Sequence, residues 1–205
     1  AAAYRSGAKL YNEYDGLLHD YSRKGGVVHS EVLLCKQAPP EWGNREKLWN
    51  AVERVEKSVR AQLAREYELA LPAELDRQEQ VELLRAYIQK NFVDKGMCAD
   101  LAIHDRGDGN PHAHVMLTMR PILSDGRWGE KTKKHYFLDH NGQRQYDPAK
   151  KTYRSTVVKM TDWDSREFLE QARAAWACAV NERIVQLHVP EIDHRSYKDQ
   201  GKDLL

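Results

Sequence analysis

The stretch "LAIHDRGDGNPHAHVMLTMR", residues 101–120, decides how this chain is read. Two apolar runs flank a loop holding Gly107, Gly109 and Pro111, which predicts a hairpin with strands over 98–104 and 112–120. Side chains alternate across a strand, so His112, His114 and Met116 share one face while Ala113, Val115 and Leu117 share the other. The second set is apolar and belongs against a core. His104 ends the first strand on the side of Ala102, so pairing through the loop brings it within reach of His112 and His114. An isolated H-x-H is a weak signal. A third histidine across the same hairpin converts it into a candidate metal site, because three neutral imidazoles leave coordination positions open for water or substrate.

Outward from the hairpin, the elements predict an α+β fold. Residues 1–12 read as a short Ala-rich helix carrying Tyr4, and "VVHSEVLL", 27–34, reads as a strand. In "REKLWNAVERVEKSVRAQLARE", 45–66, Leu48, Val52, Val55, Val59 and Leu63 step by three or four, the pattern of one long helix with a buried stripe. "YELALP", 67–72, alternates and stops at a proline, as a short strand does. Residues 77–94 predict a second amphipathic helix, and 164–187 a third with Phe168, Leu169, Ala172, Trp176 and Val180 on one face. Hairpins interspersed with long helices predict an antiparallel sheet with helices packed on one face, leaving the other face for a site. A chain of 205 residues makes one domain.

Composition sets the class. Hydrophobic content of 41% and charged content of 31% are those of a globular protein. No apolar run approaches the roughly 20 residues of a membrane helix, so no membrane insertion is expected. Cys35, Cys98 and Cys178 are odd in number and form no CxxC pair, which predicts buried thiols in a reducing compartment and hence the cytoplasm. The net charge of +1 marks no nucleic-acid binder, but its distribution is uneven. A basic insert at about 121–160 interleaves its Lys and Arg residues with Trp128, Tyr136, Phe137, Tyr146 and Tyr153. Cations track a phosphate backbone and rings stack on unpaired bases, a combination suited to single-stranded nucleic acid, although a solvated loop would look the same.

Several metal chemistries lack their partner residues. An H-x-H dioxygenase-type barrel adds a nearby glutamate, whereas Leu117, Thr118 and Met119 occupy those positions. The HExxH of zinc peptidases and the PCxxC of zinc deaminases are absent. "IHDRGDGNPHAHVMLTMR" does resemble the histidine motif of the MobA/MobL family of plasmid mobilisation relaxases, within the HUH endonucleases. "AAAYRSG" at the start, "DYSRKGGVVHSEVLL" (20–34), "LWNAVERVE" (48–56), "AREYELALP" (64–72) and "IDHRSYKDQG" (192–201) have counterparts in the same order, so the resemblance spans nearly the whole chain.

The resemblance implies a two-layer relaxase fold and assigns roles. It makes Tyr4 the nucleophile, attacking the scissile phosphate at a transfer origin to leave a 5′-phosphotyrosyl link and a free 3′-hydroxyl, which religation reverses. It makes His104, His112 and His114 the ligands of a divalent ion: Mn²⁺ or Mg²⁺, with Zn²⁺ and Ni²⁺ as alternatives on ligand softness. Glu66, expected at a helix end, matches a family acid that either orients a ligand histidine or takes the tyrosine proton, with Glu68 as second choice. Arg120, Lys131, Lys133, Lys134 and Arg154 are candidate contacts to single-stranded DNA. Tyr11 and Tyr14 are expected to pack or touch DNA, and His29, His135 and His194 to be structural or surface residues. The resemblance further implies accessory mobilisation proteins and a coupling protein as partners. It also implies a strand central in the sheet before residue 1, and a long region after residue 205.

Three rival readings differ in what they require. A rolling-circle replication initiator also uses H-x-H and a tyrosine, but its tyrosine follows the histidines along a helix, whereas Tyr136, Tyr146 and Tyr153 lie in a loop-like insert. A DNA-binding module with a structural metal would not need Tyr4. A hydrolase of small phosphoesters would need no basic insert.

Overall fold

The computed structural model describes residues 1–202. Helix α1 (Ala2–Ser6) leads into a small hairpin of β1 (Lys9–Asn12) and β2 (Leu17–Asp20). Strand β3 (Val27–Leu33), helix α2 (Arg45–Val55), strand β4 (Ala64–Ala70) and helix α3 (Arg77–Ile88) follow. Next come the strands β5 (Ala99–His104) and β6 (His112–Thr118). The basic segment holds β7 (Thr132–Tyr136), β8 (Tyr146–Asp147), β9 (Thr152–Tyr153) and β10 (Ser155–Lys159), and α4 (Arg166–Ile184) closes the order. Four strands form the main sheet in the order β3-β5-β6-β4, antiparallel throughout. This is the α+β class expected from the sequence. Among the described residues no helix is long and apolar enough to cross a membrane.

Pleat alternation explains how the sheet divides the molecule. Leu101, Ile103, Ala113, Val115 and Leu117 are all at most 1% exposed and face one layer. There Tyr67 of β4 packs on Phe92, Phe92 on Tyr87 and Phe168, and the Tyr87 hydroxyl donates to the Ala172 carbonyl, which locks α3 to α4. Helix α3 starts at a capping box in which Asp76 accepts from the Glu79 amide and Glu79 accepts from the Asp76 amide. The opposite face is less open than anticipated. Asp100 points to it, is buried, and accepts from Trp49 Nε1 and Arg45 Nε, so α2 covers that face beyond the histidines. Burial pushes the Asp100 carboxyl up, against the pull of Arg45 and Trp49.

Four local expectations need correction. The helix of residues 1–12 ends at Ser6, because Gly7 adopts φ 61° and turns the chain into β1. A side chain at Gly7 would also meet Val27 Cγ2 at 3.1 Å. The helix expected over 45–66 ends at Val55. At that point the Glu56 side chain turns inward to Arg120 Nε at 2.8 Å and Lys131 Nζ at 2.6 Å, the next stretch leaves Val59 94% exposed, and Ala64 already begins β4. The basic insert is paired rather than loop-like: β7 pairs with β10 and β8 with β9. Finally, Cys35 and Cys98 are buried as expected, but Cys178 is exposed on α4, as is Leu169, on the side of that helix away from the core.

Candidate metal and nucleophile site

The histidines sit where the hairpin register puts them: His104 opposite His112, and Ala102 opposite His114. Their nearest ligand nitrogens all lie within 4.8 Å of one another, and the three ring centroids are 4.7–5.5 Å apart. Each ring has one nitrogen already engaged. His114 Nδ1 donates to Glu66 Oε1 at 2.8 Å, His112 Nδ1 to the Asn110 carbonyl at 2.9 Å, and His104 Nε2 to the Arg5 carbonyl at 2.6 Å. Such contacts fix tautomer and ring orientation and leave the other nitrogen as a lone-pair donor, which is how protein metal ligands are usually held. Burial holds the His104 and His114 pKa values below the ordinary histidine range, and for His114 it outweighs the opposing effect of Glu66. Neutral imidazole is the ligating form. The donor set therefore fits a divalent cation.

Helix α1 brings Tyr4 to the same place. The last carbonyls of any helix lack intrahelical partners. Here the Tyr4 carbonyl accepts from Lys24 Nζ at 3.0 Å and the Arg5 carbonyl accepts from His104. Tyr4, Lys24, His104, His112 and His114 line one cleft of about 360 Å³ together with Glu68 and Arg106. Lys24 Nζ lies 4.0 Å from the centre of the Tyr4 ring, and Tyr21 meets the ring edge-on at 5.3 Å.

Glu66 stands beside this cleft, on a strand rather than at a helix end, because β4 starts at Ala64. Its Oε1 also accepts from Arg5 Nε at 2.6 Å and its Oε2 from Arg5 Nη2 at 3.0 Å. Hydrogen bonding to Arg5, helped by His114, keeps the Glu66 carboxyl below the usual carboxylate range, and the same contact raises Arg5. Glu68, two residues on, shares the face and pairs in register with His114.

The five predicted DNA contacts lie outside the cleft. Arg120 and Lys131 are both tied to the buried Glu56, and Lys131 also donates to the Gln62 carbonyl at 2.7 Å. Their first role is to join the basic segment to the end of α2. Lys133, Lys134 and Arg154 are exposed. Lys134 and Arg154 line a shallow groove with Phe137, Tyr146, Lys150 and Tyr153. Tyr14 is 77% exposed at the tip of the first hairpin, and Tyr11 lines a separate cavity behind Glu66. His29 is tied to Glu31. Two site residues escaped the sequence reading, Arg5 and Lys24. The only signal was their position, one beside Tyr4 and the other before the Gly25-Gly26 turn.

A sequence profile of the MobA/MobL family matches residues 1–205. The chain belongs to the MobA/MobL family. Among its relatives are a probable mobilization protein MobA of Bifidobacterium longum, 35% identical over 98% of this chain and 38% of that protein, and a conjugal transfer protein TraA of Agrobacterium fabrum, 36% identical over 100% of this chain and 19% of that protein. The chain thus spans well under half the length of these two MobA/MobL relatives. A solved structure from work on the molecular basis of vancomycin resistance transfer in Staphylococcus aureus is similar with a TM-score of 0.79 and 26% identity, covering 96% of this chain and 89% of that one.

Proposed function

We propose that this chain is the nicking and joining unit of a mobilisation relaxase, cutting single-stranded DNA at a transfer origin through Tyr4. The observation that carries this reading is the shared cleft: a tyrosine and three metal-competent histidines from distant parts of the chain line one opening. The Tyr4 phenolic oxygen attacks the scissile phosphorus, its proton is lost to solvent or a base, and a P–O bond to tyrosine forms as the P–O3′ bond breaks. The departing 3′-oxygen takes up a proton, leaving a 3′-hydroxyl and a 5′-phosphotyrosyl end, and the reverse attack religates the strand. His104, His112 and His114 would hold a divalent ion that offsets charge developing on the phosphate oxygens.

Glu66 acts in this reading as a positioning residue rather than the base. Its two oxygens are taken by Arg5 and His114, and its carboxyl is held in the ionised, weakly basic form. Of the two carboxylates considered, Glu68 is the one that lines the cleft. The exposed β7–β10 segment supplies Lys133, Lys134, Arg154 and the rings of Tyr146 and Tyr153 as a surface for unpaired DNA. The Tyr-first order and the strand placement of Tyr136, Tyr146 and Tyr153 favour this over a replication initiator with a helical tyrosine.

The test is a denaturing gel of the protein with labelled single-stranded oligonucleotides spanning candidate nick sites, run with Mn²⁺, with EDTA, and with Tyr4→Phe. A protein–DNA adduct that needs both Mn²⁺ and Tyr4 supports the proposal. Cleavage without an adduct means water is the attacking group and Tyr4 is wrongly assigned.

A further inference from the structure

Lys24 is a charged group of the cleft that neither the histidine cluster nor the Glu66 pair accounts for. It comes from the loop between β2 and β3, eighty residues in sequence from His104, yet its ammonium stands 3.4 Å from His104 Nε2. The same ammonium donates to the Tyr4 carbonyl and lies over the Tyr4 ring at 4.0 Å. Among the described residues no carboxylate pairs with it, and the nearby Arg5 and Arg106 guanidiniums carry the same charge. A half-buried cation held without a counter-ion is costly to maintain. What it gains here is a main-chain oxygen and a π face, both belonging to Tyr4. The loop that carries it is anchored at the site as well, since the Gly26 carbonyl accepts from the Asp105 amide, directly after His104. Gly26 has φ 84°, and a Cβ there would come within 3.1 Å of Arg106 Cγ.

We propose that Lys24 is the positioning residue that holds the Tyr4 ring and the end of α1 against the metal-binding histidines. The inference rests on Tyr4 being the nucleophile of the proposed reaction. Lys24 works through Tyr4, whose carbonyl and ring hold its ammonium. Losing them frees both the ring and the last turn of a five-residue helix, and a reacting atom displaced by an ångström slows a positioned reaction steeply.

The experiment compares wild type, Lys24→Met, which keeps the stem and removes the charge, and Lys24→Arg, which restores a cation. Single-turnover adduct formation is measured with an oligonucleotide the wild type cleaves. Mn²⁺ affinity and oligonucleotide affinity are measured separately, and thermal melting reports folding. Lys24→Met is expected to slow adduct formation by about 10- to 100-fold with oligonucleotide affinity unchanged and Mn²⁺ affinity no weaker than wild type, and Lys24→Arg to recover most of the rate. An unchanged rate in Lys24→Met overturns the inference, and so does a loss confined to DNA or Mn²⁺ affinity. A second readout does not depend on cleavage. In protein labelled with 3-fluorotyrosine, the Tyr4 resonance, assigned by its loss in Tyr4→Phe, is expected to move and broaden in Lys24→Met without DNA present. If wild type forms no adduct, the proposed function fails, while this resonance still decides whether Lys24 holds Tyr4: a Tyr4 signal that is the same in both proteins refutes it.

Discussion

Removing the Glu66 carboxylate should weaken metal binding by an amount the geometry sets. Glu66 Oε1 accepts from His114 Nδ1 at 2.8 Å, and its two oxygens accept from Arg5 at 2.6 and 3.0 Å. Glu66→Ala deletes all three contacts, lets the His114 ring turn, and leaves the Arg5 cation unbalanced near the proposed metal site. Loss of such a supporting carboxylate costs about 10- to 100-fold in metal affinity, or about 1.4–2.7 kcal/mol. Glu66→Gln keeps an oxygen that can accept from His114 but loses the charge. Hydrogen bonds to an ionised acceptor are about twice as strong as neutral ones, so about half the free energy and about a 3- to 10-fold loss are expected. Calorimetric titration of each apo-protein with Mn²⁺ at neutral pH reads both numbers. The Glu66–Arg5 pair is about one-third exposed, so melting temperature should barely move. Mn²⁺ binding by Glu66→Ala as tight as wild type, or tighter than by Glu66→Gln, would refute the idea that Glu66 orients His114.

Other outcomes follow from the same contacts. Glu56→Gln should destabilise the protein by about 3 kcal/mol, because it leaves Arg120 and Lys131 unpaired around a buried position, and urea unfolding at neutral pH measures it. Although burial opposes it, contact with Arg120 and Lys131 holds the Glu56 carboxyl below the usual range. Its stabilisation is therefore complete above the unfolded value of about 4.3 and is lost as pH falls through the lower folded value. Repeating the unfolding down to pH 3 should show the wild-type advantage shrinking only below that point. Gly7→Ala forces a side chain into φ 61° and toward Val27, costing about 1–2 kcal/mol, and its adduct yield should fall with α1 displaced. Replacing Lys134, Lys150 and Arg154 together by Ala should flatten the salt dependence of single-stranded DNA binding by about 2 units of log–log slope. The Arg120→Ala variant should lose stability and leave that slope nearly unchanged.

Local pattern carried a large part of this protein's description. The H-x-H alternation, the apolar residues between the histidines and the Gly- and Pro-containing loop specify a hairpin with imidazoles on one face, because strand geometry leaves no other arrangement once the apolar set is buried. The apolar stripes of α3 and α4 were legible for the same reason, each being a pattern within a few residues, whereas the Asp76–Glu79 box emerged only from the structure. Tertiary structure alone decided where α2 ends and what Glu66 contacts. The periodicity of Val55, Val59 and Leu63 continues past the helix, but Glu56 is claimed by Arg120 and Lys131, 64 and 75 residues away, and that contact outweighs a few tenths of a kcal/mol of helix preference per residue. The placement of Lys24 on Tyr4 and of Arg5 between Glu66 and His104 is likewise long-range. Charged side chains meet across such separations only when the sheet has already brought their backbones together, so their spacing along the chain leaves no trace of the contact.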